Sequence, residues 1–278
     1  MVMKILIIGA NSILSKELIQ LHISDEVDIL YHSAALNTSH PKHRNIALED
    51  IGSLEDNYDI VYIVSAVISN DIEKLDDIIN VNARLVNDIC NRFKSSKIIY
   101  FSSVAVYDAI DGLNIDEKTL PCPESVYGIS KLLGEKIVEK SKNYAILRIS
   151  SMYGTGMKQS TFLPKIIKNA LDSNEIRLLG HGQRIQNYIH TRDVATLAKT
   201  AALSKENGIL LAISKENYTN KQIAEIIQAA TGCSIEYFGD DHTRSVSYTQ
   251  EIIPYNEYNN TSIENGIKEL IEWIEKQS

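Results

Sequence analysis

Short apolar runs alternate with helical stretches up to residue 150, and this alternation constrains the fold more than any other feature of the sequence. We predict strands near 4–8, 27–31, 59–65, 97–101 and 144–149, with helices near 13–21, 72–93 and 126–141. Strands separated by helices form right-handed crossovers, which make the strands parallel and cover both faces of the sheet. The sequence therefore predicts an α/β fold with a doubly wound parallel sheet.

Composition excludes several classes of function. The 278 residues are 44% hydrophobic and 23% charged, and no run approaches the roughly 20 apolar residues of a membrane span. The net charge of −8 disfavours nucleic acid as a partner. Three scattered cysteines indicate reduced thiols, and the seven histidines lack metal-ligand spacing. With no secretory signal before the first strand, we expect a cytoplasmic protein without a metal or a membrane partner.

The first strand leads into the segment GANSILS, which has the form of a dinucleotide-binding turn with one of its three glycines. Gly9 stands where the strand turns sharply, and Asn11 is a residue type that tolerates positive φ. Ser12 can cap the helix that starts at Ile13 and can donate to a phosphate. Ser15 replaces the glycine that permits close helix packing. The segment predicts a cofactor site with altered pyrophosphate binding.

After residue 150 strands and helices no longer alternate regularly, and loops separate predicted helices near 161–171, 193–203, 219–231 and 262–276. We expect residues 1–150 to form an NAD(P)-binding Rossmann domain, to which the chain returns at approximately 180–213. Residues 151–278 are expected to form mainly a smaller α/β lobe that binds the substrate.

Three polar residues follow the strand KIIYF in an order that suits acid and base chemistry. Ser103 lies just beyond that strand, and the segment VYGISK places Tyr127 and Lys131 one helical turn apart. Tyrosine titrates at about pH 10, and a nearby ammonium stabilises its phenolate and lowers its pKa. The alternative for the Tyr-Lys pair alone is a solvated helix face.

In this order and spacing the sequence resembles the extended short-chain dehydrogenase/reductase family, which contains nucleotide-sugar epimerases, dehydratases and 4-keto reductases. The resemblance covers almost the whole chain, in the segments GANSILS, YDIVYIVSAV, NVNARLVNDIC, IIYFSSVAVY, VYGISK, ILRISSMYGTG, GHGQRIQNYIHTRDVA and IENGIKELIEWI.

The resemblance implies a role for each catalytic residue. Tyr127 would exchange a proton with the substrate oxygen while hydride moves to or from the nicotinamide ring. Ser103 would polarise that oxygen, and Lys131 would bind the nicotinamide ribose. The implied cofactor contacts are Gly9, Asn11, Ser12, Ile13, His32, Ser33, Asp50, Ile51, Ser65, Ala66, Val67, Asn82, Tyr127 and Lys131. The resemblance also implies a homodimer, built from the helices near 72–93 and 126–141.

Departures from the family pattern narrow the reaction. The family's 4,6-dehydratases carry an Asp and a Glu directly after the catalytic hydroxyl, where this sequence has Val104 and Ala105. Without an acid and a base at these positions, dehydration is disfavoured. Hydride chemistry remains, either net reduction of a keto group or oxidation followed by reduction in an epimerase.

The second strand bears on the choice of cofactor. It ends in Tyr31, His32 and Ser33, without the carboxylate that binds the ribose hydroxyls of NAD. His32 and Ser33 could donate to the 2′-phosphate of NADP, together with a basic loop that carries His40, Lys42, His43 and Arg44. The alternative is a solvated basic loop. This pattern favours NADP, with NAD possible.

The substrate lobe departs from the family further. Ser151 and Gln186 stand where family members usually have an Asn and an Arg near the diphosphate. Glutamine cannot replace a bidentate guanidinium, so Arg184, Arg177 or Lys165 would have to substitute, unless these are ordinary surface charges. Candidate substrate-binding residues are Val104, Ser151, Lys165, Arg184 and Gln186.

These observations favour an NADPH-dependent reductase of a nucleotide-linked 4-keto-deoxy sugar in surface polysaccharide or glycan synthesis, with Tyr127 as general acid. The first alternative is an NAD-dependent nucleotide-sugar 4-epimerase. An alternative of another class is a non-catalytic NADP(H)-binding sensor or scaffold, against which the intact catalytic residues argue.

Overall fold

A seven-stranded sheet forms the centre of the computed structural model, which describes residues 2–36, 40–110, 114–250 and 261–277. The strands in chain order are β1 (Lys4–Ile8), β2 (Glu26–Tyr31), β3 (His43–Ala47), β4 (Ile60–Ile63), β5 (Lys97–Ser103), β6 (Tyr144–Ile149), β7 (Ser151–Tyr153), β8 (Glu175–Leu179), β9 (Ile185–His190), β10 (Gly208–Ala212), β11 (Asn217–Thr219) and β12 (Ser234–Phe238). The large sheet has the order β3-β2-β1-β4-β5-β6-β10, and all its pairings are parallel. From β1 the chain builds the sheet outward to β3 on one side, and from β4 it builds the other side. Doubly wound sheets bind their ligands at this switch point between β1 and β4.

Helices cover both faces of this sheet. In chain order, the helices of the whole described chain are α1 (Ile13–Leu21), α2 (Leu75–Ile79), α3 (Val86–Arg92), α4 (Val126–Val138), α5 (Phe162–Ser173), α6 (Thr191–Leu203), α7 (Asn220–Thr231) and α8 (Ile263–Glu275). Side chains of β1 alternate between two cores: Ile5 and Ile7 pack with α1 and α6, whereas Leu6 and Ile8 pack with α3 and α4. A strand buried on both faces explains the unbroken apolar runs. The predicted doubly wound fold is confirmed.

A smaller lobe has its own core. It contains the three-stranded sheet β11-β9-β7 and the parallel pair β12-β8. Apolar residues of α5, α7 and α8 form a separate hydrophobic cluster with β8 and β9. Between β9 and β11 the chain returns to the large sheet, to which it contributes α6 and β10. The exact domain boundary near residue 150 remains a prediction.

Two segments differ from the sequence-based expectation. Residues 43–47, taken there as part of a basic loop, form the edge strand β3, whose mostly solvated side chains give no apolar signal. The helix predicted at 72–93 is interrupted: a short 3₁₀ segment precedes α2, and a π-helical segment, Asn80–Leu85, joins α2 to α3. The apolar periodicity of the sequence does not reveal this π-helical segment, because the same face of the helix stays buried on both sides of it.

No helix in the described part of the chain has both the length and the apolar composition needed to cross a bilayer.

Candidate functional site

The N-terminus of α4 holds Tyr127 at the carboxyl end of the sheet. Ser125 caps the helix by accepting a hydrogen bond from the backbone N–H of Gly128 at 2.9 Å. The backbone N–H of Tyr127 donates to Asn70 Oδ1 at 3.1 Å. A Cβ at Gly128 would overlap the carbonyl oxygen of Ala105, so this glycine lets the helix approach the end of β5.

Ser103 and Tyr127 meet at this point. Ser103 is the last residue of β5, and its Oγ accepts from the backbone N–H of Ala105 at 3.1 Å, which starts a 3₁₀ turn. Burial raises the pKa of Tyr127 to about 12, and the hydrogen bond with the Ser103 side chain acts in the opposite direction. The structure therefore brings the serine and tyrosine together, with the phenol protonated at neutral pH.

Lys131 lies one turn further along α4 and is 1% exposed. Its Nζ lies 4.1 Å from the ring centroid of Tyr100, a residue of β5. Burial lowers the pKa of Lys131 to about 7, while the Glu135 carboxylate raises it. We expected Lys131 to lower the pKa of Tyr127; burial raises that pKa overall, and the contribution of Lys131 remains a prediction.

A buried ion pair fixes the far side of α4 beneath these residues. Arg148 of β6 binds Glu135 through two hydrogen bonds, of 3.0 and 2.7 Å. Ser102 Oγ donates to the same carboxylate at 2.6 Å, and Arg148 also donates to the Tyr107 hydroxyl at 2.6 Å. The network ties together α4, two strands and the 3₁₀ turn that follows Ser103.

Asn82 links the same helix to the end of β4. Its amide accepts from the backbone N–H of Val67 at 2.8 Å and donates to the carbonyl of Val67 at 3.0 Å. It also donates to Ser130 Oγ of α4 at 2.9 Å. This fully buried asparagine lies in the π-helical segment, and it holds the loop of Ser65, Ala66 and Val67 beside α4.

The Gly9 turn is closely packed. Gly9 has φ +114°, and a Cβ there would lie 2.8 Å from the backbone nitrogen of Ser65. Ser15, which replaces a family glycine, is fully buried and donates to the Gly9 carbonyl at 2.6 Å. The serine therefore adds a hydrogen bond to the turn, and altered pyrophosphate binding by this segment remains a prediction.

The residues after Gly9 suit a pyrophosphate. Ser12 is the N-cap of α1 and accepts from the backbone N–H of Leu14 at 3.2 Å, as predicted for a cap. The first turn of α1 contains no acidic residue, so its free N–H groups and dipole favour an anion beside Ile13. Asn11 does not have the positive φ that we considered, and its amide donates to the carbonyl of Ala34 at 3.1 Å. These residues fit a dinucleotide.

The basic residues that we expected near a 2′-phosphate contact other groups of the chain. Lys42 Nζ donates to the carbonyl of Ser24 at 2.8 Å, and Arg44 binds the Asp28 carboxylate through two hydrogen bonds, of 2.9 and 2.7 Å. The rings of the other two basic residues, His40 and His43, lie 4.3 Å apart. Because β3 pairs with β2, Arg44 lies at the edge of the sheet, directly opposite Asp28. This corrects the expectation that the basic segment faces the cofactor.

The remaining cofactor candidates lie at or beyond strand ends. His32 and Ser33 are exposed after β2, at the carboxyl end of the sheet. Asp50 is exposed and Ile51 half-buried in a 3₁₀ segment, Leu48–Ser53, that follows β3. Their contacts with a cofactor remain predictions.

Candidate substrate residues are spread over the smaller lobe. Ser151 is exposed in β7, Lys165 is exposed on α5, and Val104 is half-buried beside Ser103. Gln186 uses its amide N–H groups within the chain, on the Tyr188 hydroxyl at 2.8 Å and Asn220 Oδ1 at 3.1 Å.

Two arginines of the lobe have different surroundings. Arg177 packs on the Phe238 ring at 4.9 Å and pairs with Glu175. Arg184 is half-buried beside an open cavity of about 450 Å³ that His181 and His242 also line. Its Nε is buried without a hydrogen-bond partner among the described residues. Of the two, only Arg184 therefore has a buried donor left for a ligand.

Sequence reasoning missed several buried polar residues around the site. Asn187 accepts from Ser150 Oγ and the Ser214 backbone N–H, and donates to the carbonyls of Ser214 and Glu216. Its place after Gln186 in the segment GHGQRIQNYIH is a signal, because this is where family members carry an Asp. Glu135, four residues after Lys131, has the spacing of the same helix face and could have been found in this way.

Comparisons with known proteins agree with this geometry. The model of the NAD-dependent epimerase/dehydratase family matches residues 5–212. The chain is 26% identical over 219 residues to a protein of Methanocaldococcus jannaschii that is provisionally named a UDP-glucose 4-epimerase, covering 69% of this chain and 67% of that protein.

Solved structures share the fold. A UDP-glucuronic acid 4-epimerase from Bacillus cereus, in complex with UDP-glucuronic acid and NAD, is 20% identical with a TM-score of 0.83, covering 99% of this chain and 100% of that one. A UDP-N-acetylglucosamine 4-epimerase from Methanobrevibacter ruminantium M1, in complex with UDP-N-acetylmuramic acid, is 18% identical with a TM-score of 0.85, covering 100% and 99%. With the family match over most of its length, the chain belongs to the NAD-dependent epimerase/dehydratase family.

Proposed function

We propose that the protein is an NAD-dependent nucleotide-sugar 4-epimerase. Support comes from the pairing of Ser103 and Tyr127 at the carboxyl edge of the sheet, with Lys131 one turn away. The apolar Val104 and Ala105 that follow Ser103 offer no acid or base for dehydration. Relatives named as UDP-sugar 4-epimerases are consistent with this reaction.

The observation that carries the choice of epimerase over reductase is the engagement of Lys42 and Arg44 away from the cofactor. Our preference for NADP rested on the missing carboxylate after β2, on His32 and Ser33, and on this basic segment, and the preference for a reductase rested on NADP. His32 and Ser33 alone are a weak set for a dianionic 2′-phosphate, which is normally bound by charged donors. NAD is also the cofactor in the structure of the Bacillus cereus epimerase.

Each residue has a defined task in this reaction. A bound NAD would supply the acceptor for the hydride of C4 of the sugar and the donor that returns it to the same carbon. In its phenolate form, Tyr127 takes the proton of the 4-hydroxyl as the hydride leaves, and it gives the proton back to the same oxygen as the hydride returns to the turned-over keto sugar. Ser103 donates to the same oxygen and polarises it. The charge of Lys131 favours the phenolate form of Tyr127 when the two groups approach.

We further propose that Arg184 binds the diphosphate of the substrate. The donors of Gln186 are occupied by Tyr188 and Asn220, whereas Arg184 lines the cavity and has a buried Nε without a hydrogen-bond partner among the described residues. Arg184 directly precedes β9, two residues before Gln186. The location in the cytoplasm, the sugar, and a role in surface polysaccharide synthesis remain predictions.

Cofactor analysis and a substrate panel test the proposed activity. The nucleotide released from the purified protein should be NAD, and incubation with UDP-glucose, UDP-glucuronic acid or UDP-N-acetylglucosamine should yield the C4 epimer of one of them without accumulation of NADH. Consumption of NADPH with a 4-keto sugar nucleotide would instead establish the reductase. Tight cofactor binding without turnover of any of these compounds would establish a sensor.

A second copy of the chain is the partner that we propose. Four apolar side chains between 39% and 64% exposed lie on or next to α2 and α4: Ile72, Leu75, Ile129 and Leu133. The last two are one turn apart on α4, and α2 packs beside this helix. Exposed apolar side chains on two neighbouring helices are typical of an interface. Sedimentation should give a dimer, and the double substitution Ile129→Asp and Leu133→Asp should give a folded monomer.

A further inference from the structure

Tyr100 lies directly beneath Lys131 in the large sheet. The tyrosine is fully buried in β5, and the ammonium is 4.1 Å from its ring centroid. The Tyr100 hydroxyl has no hydrogen-bond partner among the described residues. A Cβ at Gly134 would overlap this hydroxyl, so the glycine allows α4 to lie against the ring.

An unpaired buried hydroxyl costs free energy, so hydrogen bonding does not explain an aromatic residue at this position. The face of the ring does offer an interaction. Its quadrupole attracts a cation within about 6 Å of the centroid, and the attraction is strongest where water is excluded. Lys131 and Tyr100 are both almost completely buried, so this condition is met.

The titratable groups around this pair come from every element packed against it. Tyr127 and Glu135 lie on the same helix as Lys131, and both act on Tyr100, as does Cys90 of α3. Arg148 of β6 neutralises much of the Glu135 charge through two hydrogen bonds. Burial lowers the pKa of Lys131 to about 7, so its charge at neutral pH depends on small interactions.

We propose that Tyr100 is a positioning residue, whose ring face holds the Lys131 ammonium in place and in its charged form. The role in turnover rests on the proposed function, because the charge of Lys131 serves the proton transfer of Tyr127. The contact itself can be measured without any substrate.

The test compares Tyr100→Phe, which keeps the ring, with Tyr100→Leu, which removes it. NMR of the protein labelled at lysine Cε and Nζ, with the Lys131 signal assigned from Lys131→Arg, gives the apparent pKa of Lys131. We expect the pKa of Tyr100→Phe to equal that of the wild type and the pKa of Tyr100→Leu to fall by about one unit. An equal pKa in all three proteins would overturn the proposal.

A graded series keeps the test decisive even if Tyr100→Leu fails to fold. Phenylalanines with one, two or three ring fluorines at position 100 weaken the quadrupole with little change in size. The pKa of Lys131 should fall with each added fluorine, and a flat series would refute the ring contact. The alkaline limb of the pH profile of kcat should shift in parallel with the pKa of Lys131. If the pKa shifts but no nucleotide sugar is turned over, the contact stands and the proposed function fails.

Discussion

Two buried polar networks lie at opposite ends of the large sheet. At the carboxyl end, Glu135 and Arg148 form a bidentate ion pair that also binds Ser102 and Tyr107. At the amino end, one histidine, His22, is fully buried between α1 and β2 and bridges two neighbours, Asp25 at 2.8 Å and the Tyr62 hydroxyl at 2.9 Å.

The networks differ in how they respond to protons. Burial acts to lower the pKa of Arg148, but its hydrogen bonds and charge pairing with Glu135 raise it overall, so the pair stays ionised. Burial lowers the pKa of His22, and Asp25 opposes this only in part. Arg148 therefore stays charged in its network, while the network at the opposite end holds a neutral histidine that acid can ionise.

The largest expected effect comes from breaking the ion pair. Glu135→Leu leaves Arg148 charged and buried without its partner, which costs about 3–5 kcal/mol of the free energy of unfolding. Urea denaturation monitored by circular dichroism measures this loss.

The control removes both charges together. The double variant Glu135→Leu with Arg148→Met replaces the pair by apolar groups, and it should recover most of the lost stability. A double variant as unstable as the single one would show that the pair is not what holds this end of the sheet.

The next effect concerns turnover alone. Tyr127→Phe removes the proton-transferring hydroxyl and should lower kcat by roughly a hundredfold or more. Its free energy of unfolding should change by less than about 1 kcal/mol, since one hydrogen bond is lost. Tyr144→Phe, at the amino end of β6, is the matched control and should retain turnover. Equal activities of the two variants would remove Tyr127 from the mechanism.

The smallest effect is a pH dependence at the amino end. Because the folded-state pKa of His22 lies below its unfolded value of about 6.5, the unfolded chain binds the proton more readily. The contribution of His22 to stability is therefore present above about pH 6.5 and is lost as the pH falls. His22→Gln should flatten the dependence of unfolding free energy on pH between about 6.5 and 5.

The other buried histidine serves as an internal reference. Burial lowers the pKa of His190 to about 4, and this contribution is the same in wild type and His22→Gln. The difference between the two pH profiles thus reports His22 together with its partner Asp25, whose pKa the hydrogen bond with His22 acts to lower. Superimposable profiles would mean that the amino end is as insensitive to acid as the carboxyl end.

The large sheet was predictable because its strands are buried on both faces. In apolar runs such as KILII and KIIYF, polar residues do not alternate with the apolar ones. Their predicted positions match β1 and β5 closely. The edge strand β3 was missed because its sequence, HRNIA, has one buried apolar residue, Ile46, among polar and half-buried positions, and Arg44 binds Asp28 through its side chain. An edge strand depends on a neighbour that lies elsewhere in the sequence.

The candidate site was predictable where chemistry depends on spacing along one helix, as with Tyr127 and Lys131. It was not predictable where a side chain has a choice of partners in space. The sequence could not show that the Lys131 ammonium packs on Tyr100, or that Arg44 binds Asp28. Both outcomes depend on packing between elements that are distant in the sequence.

Hydride return is the central claim of the proposed function, and isotope retention tests it most directly. A nucleotide sugar that the substrate panel identifies is prepared with deuterium at C4 and incubated with the purified protein and its bound cofactor. The account predicts that the C4 epimer forms with the deuterium still at C4 and without net formation of reduced cofactor. An epimer that has lost its deuterium to solvent, or a product formed only with stoichiometric NADPH, would contradict it.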